Sequence, residues 1–81
     1  MENRVALLSI IVEEPGAVSA LNALLHEYSA YIIGRMGIPY REKGVNIISV
    51  ALDAPQEVTS ALSGKIGKIK NIAVKTVYSN V

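Results

Sequence analysis

The segment GRMGIPYREKGVNIISVAL, residues 34–52, joins two halves of opposite character. The first half holds two glycines and Pro39, which cannot donate a hydrogen bond within a sheet, so this half suits an edge strand. The second half is an almost unbroken apolar run, which suits a strand in the middle of a sheet. We therefore predict an edge strand over residues 33–40 and a central strand over residues 45–53. The turn between them contains Gly44, which can adopt the positive φ of a tight hairpin.

On either side of this segment the spacing of apolar residues indicates further elements. Residues 5–12, VALLSIIV, are too few for a buried helix and rich in branched side chains, which predicts a second central strand. After EEPG, apolar residues three and four positions apart predict an amphipathic helix: Val18, Leu21, Leu25, Tyr28 and Ile32. A second helix is expected from DAPQ to Gly67, with Asp53 as its N-cap and Pro55 in its first turn. Residues 71–79 then predict a fourth strand.

The resulting order is strand, helix, strand, strand, helix, strand. This order is typical of an α+β ferredoxin-like sandwich, in which a four-stranded antiparallel sheet carries both helices on one face. In that topology the first and third strands are central and the second is an edge, as the apolar runs and Pro39 require. We predict a single domain over residues 1–81.

The sheet face turned away from the helices is expected to be apolar. Alternation along the two central strands places one set of side chains under the helices: Leu8, Ile10, Val12, Ile48, Val50 and Leu52. The other set then faces outward: Leu7, Ser9, Ile11, Ile47, Ser49 and Ala51. An apolar patch on so small a protein indicates a partner surface, so we predict that these residues form the interface of a homodimer or homotetramer.

Composition excludes several functions that share this architecture. The 81 residues include no cysteine and one histidine, His26, which leaves no set of ligands for a ferredoxin or metal chaperone. The central strands hold no aromatic residue on which RNA bases could stack. No catalytic triad or phosphate-binding loop is evident, so we expect no enzymatic activity, no cofactor and no metal. Without a signal sequence or a long apolar run, we expect a cytoplasmic protein that does not enter a membrane.

Charge leaves one alternative open. Eight basic and seven acidic residues nearly cancel, but no acid follows Glu57, and the tail after it contains Lys65, Lys68, Lys70 and Lys75. Such a tail is usually a solvated basic edge, and we do not expect direct nucleic-acid binding. The alternative function is nevertheless a nucleic-acid-binding accessory module that uses this lysine-rich C-terminal third.

The loop EEPGAV, residues 13–18, could either bind a small ligand or be a tight connection. Pro15 fixes its backbone, Gly16 permits a close approach or a positive φ, and unpaired helix amides follow. The loop resembles the Pro-Gly element between the first strand and first helix of ACT domains. Two longer stretches, residues 32–54 and 61–77, resemble the stand-alone ACT-like family of iron-only hydrogenase system regulators.

This resemblance implies an ACT-like fold akin to the ligand-binding domain of the nickel-responsive repressor, self-association, and a regulatory role linked to hydrogenase. The chain lacks that repressor's metal-binding histidine and cysteine set and its DNA-binding arm. In ACT-like sensors the ligand lies where the first strand, the first helix and a neighbouring subunit meet. That position nominates Glu13, Glu14, Gly16 and Ala17 as ligand-binding residues, with Arg35 as a contributor. A glutamate would hold an amine and the helix amides a carboxylate, so we expect an amino-acid-like effector.

Overall fold

The computed structural model describes residues 2–80 and has the predicted alternation of elements. Its strands and α-helices are β1 Asn3–Val12, α1 Ala17–Glu27, β2 Ile32–Tyr40, β3 Val45–Pro55, α2 Gln56–Gly67 and β4 Ile72–Tyr78. Two single 3₁₀ turns, Ser29–Tyr31 and Arg41–Lys43, precede β2 and β3.

The four strands form one antiparallel sheet in the order β2-β3-β1-β4. The prediction that the first and third strands are central and the second is an edge is confirmed. Pro39 pairs with Asn46 from the edge strand, where its missing amide removes no bond to a second neighbour. The hairpin prediction is also confirmed, because Gly44 has a φ of 66° after the 3₁₀ turn.

Two predicted helix boundaries are wrong. The apolar stripe predicted a first helix reaching Ile32, but α1 ends at Glu27 and Ile32 is the first residue of β2. The amide of Tyr31 donates to the carbonyl of Tyr28 at 3.0 Å, which closes a 3₁₀ turn and reverses the chain. Ile32 still packs against the core, but from the strand side.

Asp53 does not cap the second helix. β3 stays paired with β1 as far as Pro55, so Asp53 lies opposite Val5 within the sheet and is exposed. Pro55 occupies the N-cap position of α2, which has no side-chain cap. The continued strand pairing therefore outweighs a local capping signal.

The core lies between the sheet and the two helices. All six central-strand residues predicted to face the helices are at most 5% exposed, with α1 contributing Leu21 and Leu25 and α2 contributing Leu62 and Ile66. Thr59 of α2 is also fully buried, and its hydroxyl has no hydrogen-bond partner among residues 2–80.

Candidate functional site

The sheet surface opposite the helices, which we call the open face, is built from three rows that cross all four strands. From β2 to β4 the rows read Gly34, Ala51, Leu7, Val77; then Met36, Ser49, Ser9, Lys75; then Ile38, Ile47, Ile11, Ala73. No helix covers these rows, so their side chains meet solvent in the isolated chain.

Exposed apolar side chains are concentrated on the open face. Within residues 2–80, nine large apolar side chains are exposed. Six of them lie in these rows, and a seventh, Tyr40, lies beside them. Their exposed fractions run from 37% at Ile11 to 64% at Met36. The six residues predicted to face outward all do so, but their role in an oligomer interface stays a prediction.

The open face is uneven in height. One row presents three consecutive isoleucines, Ile38, Ile47 and Ile11, which form a ridge across β2, β3 and β1. The neighbouring row presents Ser49 and Ser9 at its middle, and beyond them lie Ala51 and Gly34. A depression of about 230 Å³ lies beside Ser49 and is lined by Leu7, Gly34, Arg35, Met36, Ser49 and Ala51. The open face therefore carries both a ridge and a trough.

The β1–α1 loop is tied to the turn before β4. The amide of Glu13 donates to the carbonyl of Asn71 at 2.8 Å, and Asn71 Nδ2 donates to Glu14 Oε2 at 2.6 Å. Asn71 adopts a left-handed φ of 66° to make both contacts. One of the two glutamates nominated for a ligand amine thus already has a partner within the protomer.

The start of α1 offers fewer free amides than the sequence suggests. The Ala17 amide donates to the Glu14 carbonyl at 3.0 Å and the Val18 amide to the Pro15 carbonyl at 3.2 Å. Gly16 has a φ of −64°, so the positive φ open to glycine is not used here. The ligand role of this loop remains a prediction, and these backbone hydrogen bonds favour the tight connection.

Arg35 does not join that loop. It pairs with Val50 on the helix side of the sheet, whereas the loop leaves β1 at the level where Val12 pairs with Asn46. Four strand residues separate the two levels, which is about 13 Å. Within one protomer, the structure therefore brings Glu13, Glu14, Gly16 and Ala17 together and separates Arg35 from them.

Arg35 instead lines an open pocket of about 330 Å³ between α1 and β2, which we call the α1–β2 pocket. Its lining residues are Asn22, Leu25, His26, Ser29, Ile32 and Arg35. The sequence analysis missed this site. The signal that could have found it is the spacing of Asn22, His26 and Ser29, which a continuous helix would place on one side at i, i+4 and i+7; in the structure Ser29 lies in the 3₁₀ turn after α1.

The other end of the sheet is held by a structural cluster. The Arg4 side chain donates to the Ser79 carbonyl and, at 3.0 Å, to Gln56 Oε1, and its guanidinium carbon lies 5.2 Å from the Tyr78 ring centroid. This arginine links the first strand, the last strand and the start of α2. An open groove of about 760 Å³ beside it is lined by Glu2, Gln56, Glu57, Ser60 and Ala61.

Two lysines of the C-terminal third, Lys65 and Lys75, lie on different sides of the molecule. Lys65 projects from α2 toward α1, where its Nζ lies 5.1 Å from the Tyr28 ring centroid, and Tyr28, followed by the charge of Glu27, raises the pKa of Lys65. Lys75 lies on the open face. A single basic surface for nucleic acid is therefore not formed by these two residues.

Within residues 2–80, no three histidine, cysteine, aspartate or glutamate side chains are grouped so that they could hold a metal ion. Neither α-helix in that range is long and apolar enough to cross a membrane.

Comparisons with known proteins agree with the fold. A family model described as "TM1266-like: Iron-only hydrogenase system regulator, putative" matches residues 4–76. The solved structure of the uncharacterized protein TM1266 from Thermotoga maritima is 40% identical, with a TM-score of 0.91 over 95% of this chain and 98% of that one. No curated protein matches the chain significantly.

More distant structures share the fold alone. The C-terminal domain of MgtC from Mycobacterium tuberculosis is 12% identical, with a TM-score of 0.77 over 96% of this chain and 89% of that one. A formyltetrahydrofolate deformylase from Pseudomonas putida KT2440 is 17% identical, with a TM-score of 0.68 over 95% of this chain and 29% of the deformylase.

Proposed function

This chain belongs to the TM1266-like family, and on that premise we propose that it is a non-enzymatic, homo-oligomeric regulatory module linked to an iron-only hydrogenase system. The observation that carries this proposal is the open face. It gathers seven of the nine exposed large apolar side chains of residues 2–80, and such a surface suits association.

The area of the open face supports association. Seven large apolar side chains, about half exposed on average, leave on the order of 650 Å² of apolar surface if each has roughly 200 Å² in full. This estimate lies slightly above the range of about 300–600 Å² found for the largest apolar patch of a typical monomer. With the serines, alanines and glycine between them, the rows approach the roughly 800 Å² that each partner contributes to a standard interface.

The shape of the open face favours a second copy of the same chain as the partner. A two-fold interface uses one patch twice, so the patch must be complementary to itself. The ridge of Ile38, Ile47 and Ile11 and the adjacent trough at Ser49 and Ser9 meet that condition, because the ridge of one copy can enter the trough of the other. Lys75, the one charged residue in the three rows, lies on the edge strand β4, from which its amine can reach water at the rim.

A regulatory module must also bind an effector or a partner to which it responds. The resemblance to ACT-like sensors favours a small amino-acid-like effector or a partner protein. Binding at the β1–α1 loop would require a ligand amine to displace Asn71 from Glu14 or to use Glu13, whose side chain is exposed. The alternative of a nucleic-acid-binding module is weakened by the separation of Lys65 from Lys75.

Light scattering coupled to a sizing column tests the assembly on which this function depends. We expect a mass at least twice the 8.7 kDa of the protomer, persisting through dilution in the micromolar range. A protein that elutes as a monomer throughout that range would refute the proposal. In the host cell, removal of the protein is expected to change hydrogenase activity or the amount of hydrogenase, and unchanged values for both would remove the regulatory link.

A further inference from the structure

The helix layer stops short of the edge strand β2. Arg35 and Gly37 point to the helix side of the sheet, in register with Val50 and Ile48. Those two β3 residues are at most 5% exposed under the helices, whereas both β2 residues are exposed. The chain therefore has a step between α1 and β2, and the α1–β2 pocket occupies it.

Four polar side chains line this pocket and have no partner within the described part of the chain. Asn22, His26 and Ser29 come from α1 and the turn after it, and Arg35 comes from the strand. None of the four side chains makes a hydrogen bond or ion pair with any residue from 2 to 80. Convergent polar groups beside an apolar floor are typical of a ligand site, and Leu25 and Ile32 supply that floor.

The charge of the pocket favours an anionic ligand. Arg35 is a permanent cation, and none of the six lining residues is acidic. A guanidinium matches a carboxylate because two parallel N–H groups can donate to its two oxygens. The volume of about 330 Å³ lies at the small end of ligand pockets, which suits a compact molecule.

The position of the pocket along α1 adds a second requirement. His26 lies in the last turn of α1 and Ser29 in the 3₁₀ turn that follows, and the backbone carbonyls at this end of the helix present partial negative charge. A ligand that carries only negative groups would meet repulsion there. A hydroxyl or ammonium group next to the carboxylate would instead donate to this end of the pocket.

We propose that the α1–β2 pocket binds a small hydroxy- or aminocarboxylate, whose carboxylate is held by Arg35 and whose donor group faces the end of α1. This inference rests on the proposed regulatory function and gives it an effector site. The site lies on the opposite side of the sheet from the open face, so it is accessible in an oligomer assembled through that face.

Isothermal titration calorimetry tests the site with serine, glutamate, lactate, glycerate and inorganic phosphate as probes. We expect saturable binding of at least one of the four carboxylates, weakened about 10- to 100-fold by Arg35→Gln, since the variant loses charge-assisted hydrogen bonds. The matched control is Arg41→Gln, which removes an exposed arginine outside the pocket and should leave the affinity unchanged. Asn22→Ala is expected to weaken the same carboxylate to a smaller extent.

The inference would be overturned by no saturable binding of any carboxylate, by phosphate binding more tightly than all of them, or by equal loss of affinity in both arginine variants. A carboxylate whose affinity falls in Gly16→Val and not in Arg35→Gln belongs to the β1–α1 loop and overturns it as well. Light scattering on the same samples keeps the two ideas separate. An assembled protein that binds no carboxylate refutes only the pocket, whereas a monomer refutes the proposed function.

Discussion

Ile47 lies at the middle of the isoleucine ridge, and its replacement by glutamate is expected to dissociate the oligomer while the protomer stays folded. Its side chain is 39% exposed in the isolated chain, which leaves about 75 Å² of apolar surface, or roughly 2 kcal/mol per copy, for a partner to bury. A two-fold interface contains this residue twice, so about 4 kcal/mol is lost. That corresponds to a dissociation constant raised several-hundred-fold.

The introduced charge adds to that loss. A carboxylate buried in an apolar interface without a cation costs several kcal/mol more, unless the interface opens to admit water. The free energy of unfolding of the protomer is expected to fall much less, because Ile47 faces solvent there. The difference in strand propensity between isoleucine and glutamate is at most about 1 kcal/mol.

The assay compares Ile47→Glu with Ile33→Glu by light scattering across the micromolar range, with circular dichroism to confirm folding. Ile33 is the matched control because it is 64% exposed and lies at the β2 bulge, outside the three rows. We expect Ile47→Glu to give the 8.7 kDa protomer and Ile33→Glu to keep the mass of the natural protein. An assembled Ile47→Glu variant, or dissociation of both variants, would show that the open face is not the interface.

Four further substitutions test the fold. Pro39→Val should keep the native circular dichroism spectrum but increase association, because proline is one of the devices that protect an edge strand; loss of the fold without association would contradict the strand order. In urea unfolding at equal protein concentration, Gly44→Ala should lower the free energy of unfolding by about 1–2 kcal/mol, because the φ of Gly44 is 66°. Gly64→Ala should raise it by about 0.5–1 kcal/mol, because Gly64 lies within α2 and has open space where a Cβ would be placed. Changes of the same sign would refute the backbone argument. Thr59→Val should stabilise the protein by about 1 kcal/mol, because it removes a buried hydroxyl that has no partner; a large destabilisation would mean that the hydroxyl is bonded in solution.

The strand order could be predicted from the sequence because each strand has a local constraint that agrees with its place in the sheet. Pro39 restricts β2 to an edge, and the two longest apolar runs require burial on the helix side. Local and global preferences coincide at these positions, so the position of each of these strands in the sheet can be predicted from its own sequence.

The errors occurred where tertiary pairing overrides a local signal. Asp53 is a good capping residue in isolation, but pairing with Val5 in the adjacent strand holds it in extended backbone. Ile32 fits the helix stripe and also fits the strand, and only the turn at Tyr31 decides between them. The separation of Arg35 from the β1–α1 loop within one protomer follows from the β2–β3 register, which no local pattern specifies. A contribution of Arg35 to the loop of a neighbouring subunit stays a prediction.

The two proposed surfaces meet on β2, which bonds to only one neighbouring strand. Successive residues of this strand alternate in direction, so Arg35 borders the α1–β2 pocket while Met36, the next residue, lies on the open face. A ligand that holds Arg35 against α1 would restrict the same backbone that positions Met36 and Ile38 for a partner. If binding restricts that backbone to the conformation found in the oligomer, ligand and assembly must strengthen each other by the same factor, because coupling between two equilibria is reciprocal. An edge strand suits this coupling better than a central one, since pairing on a single side leaves its position free to respond.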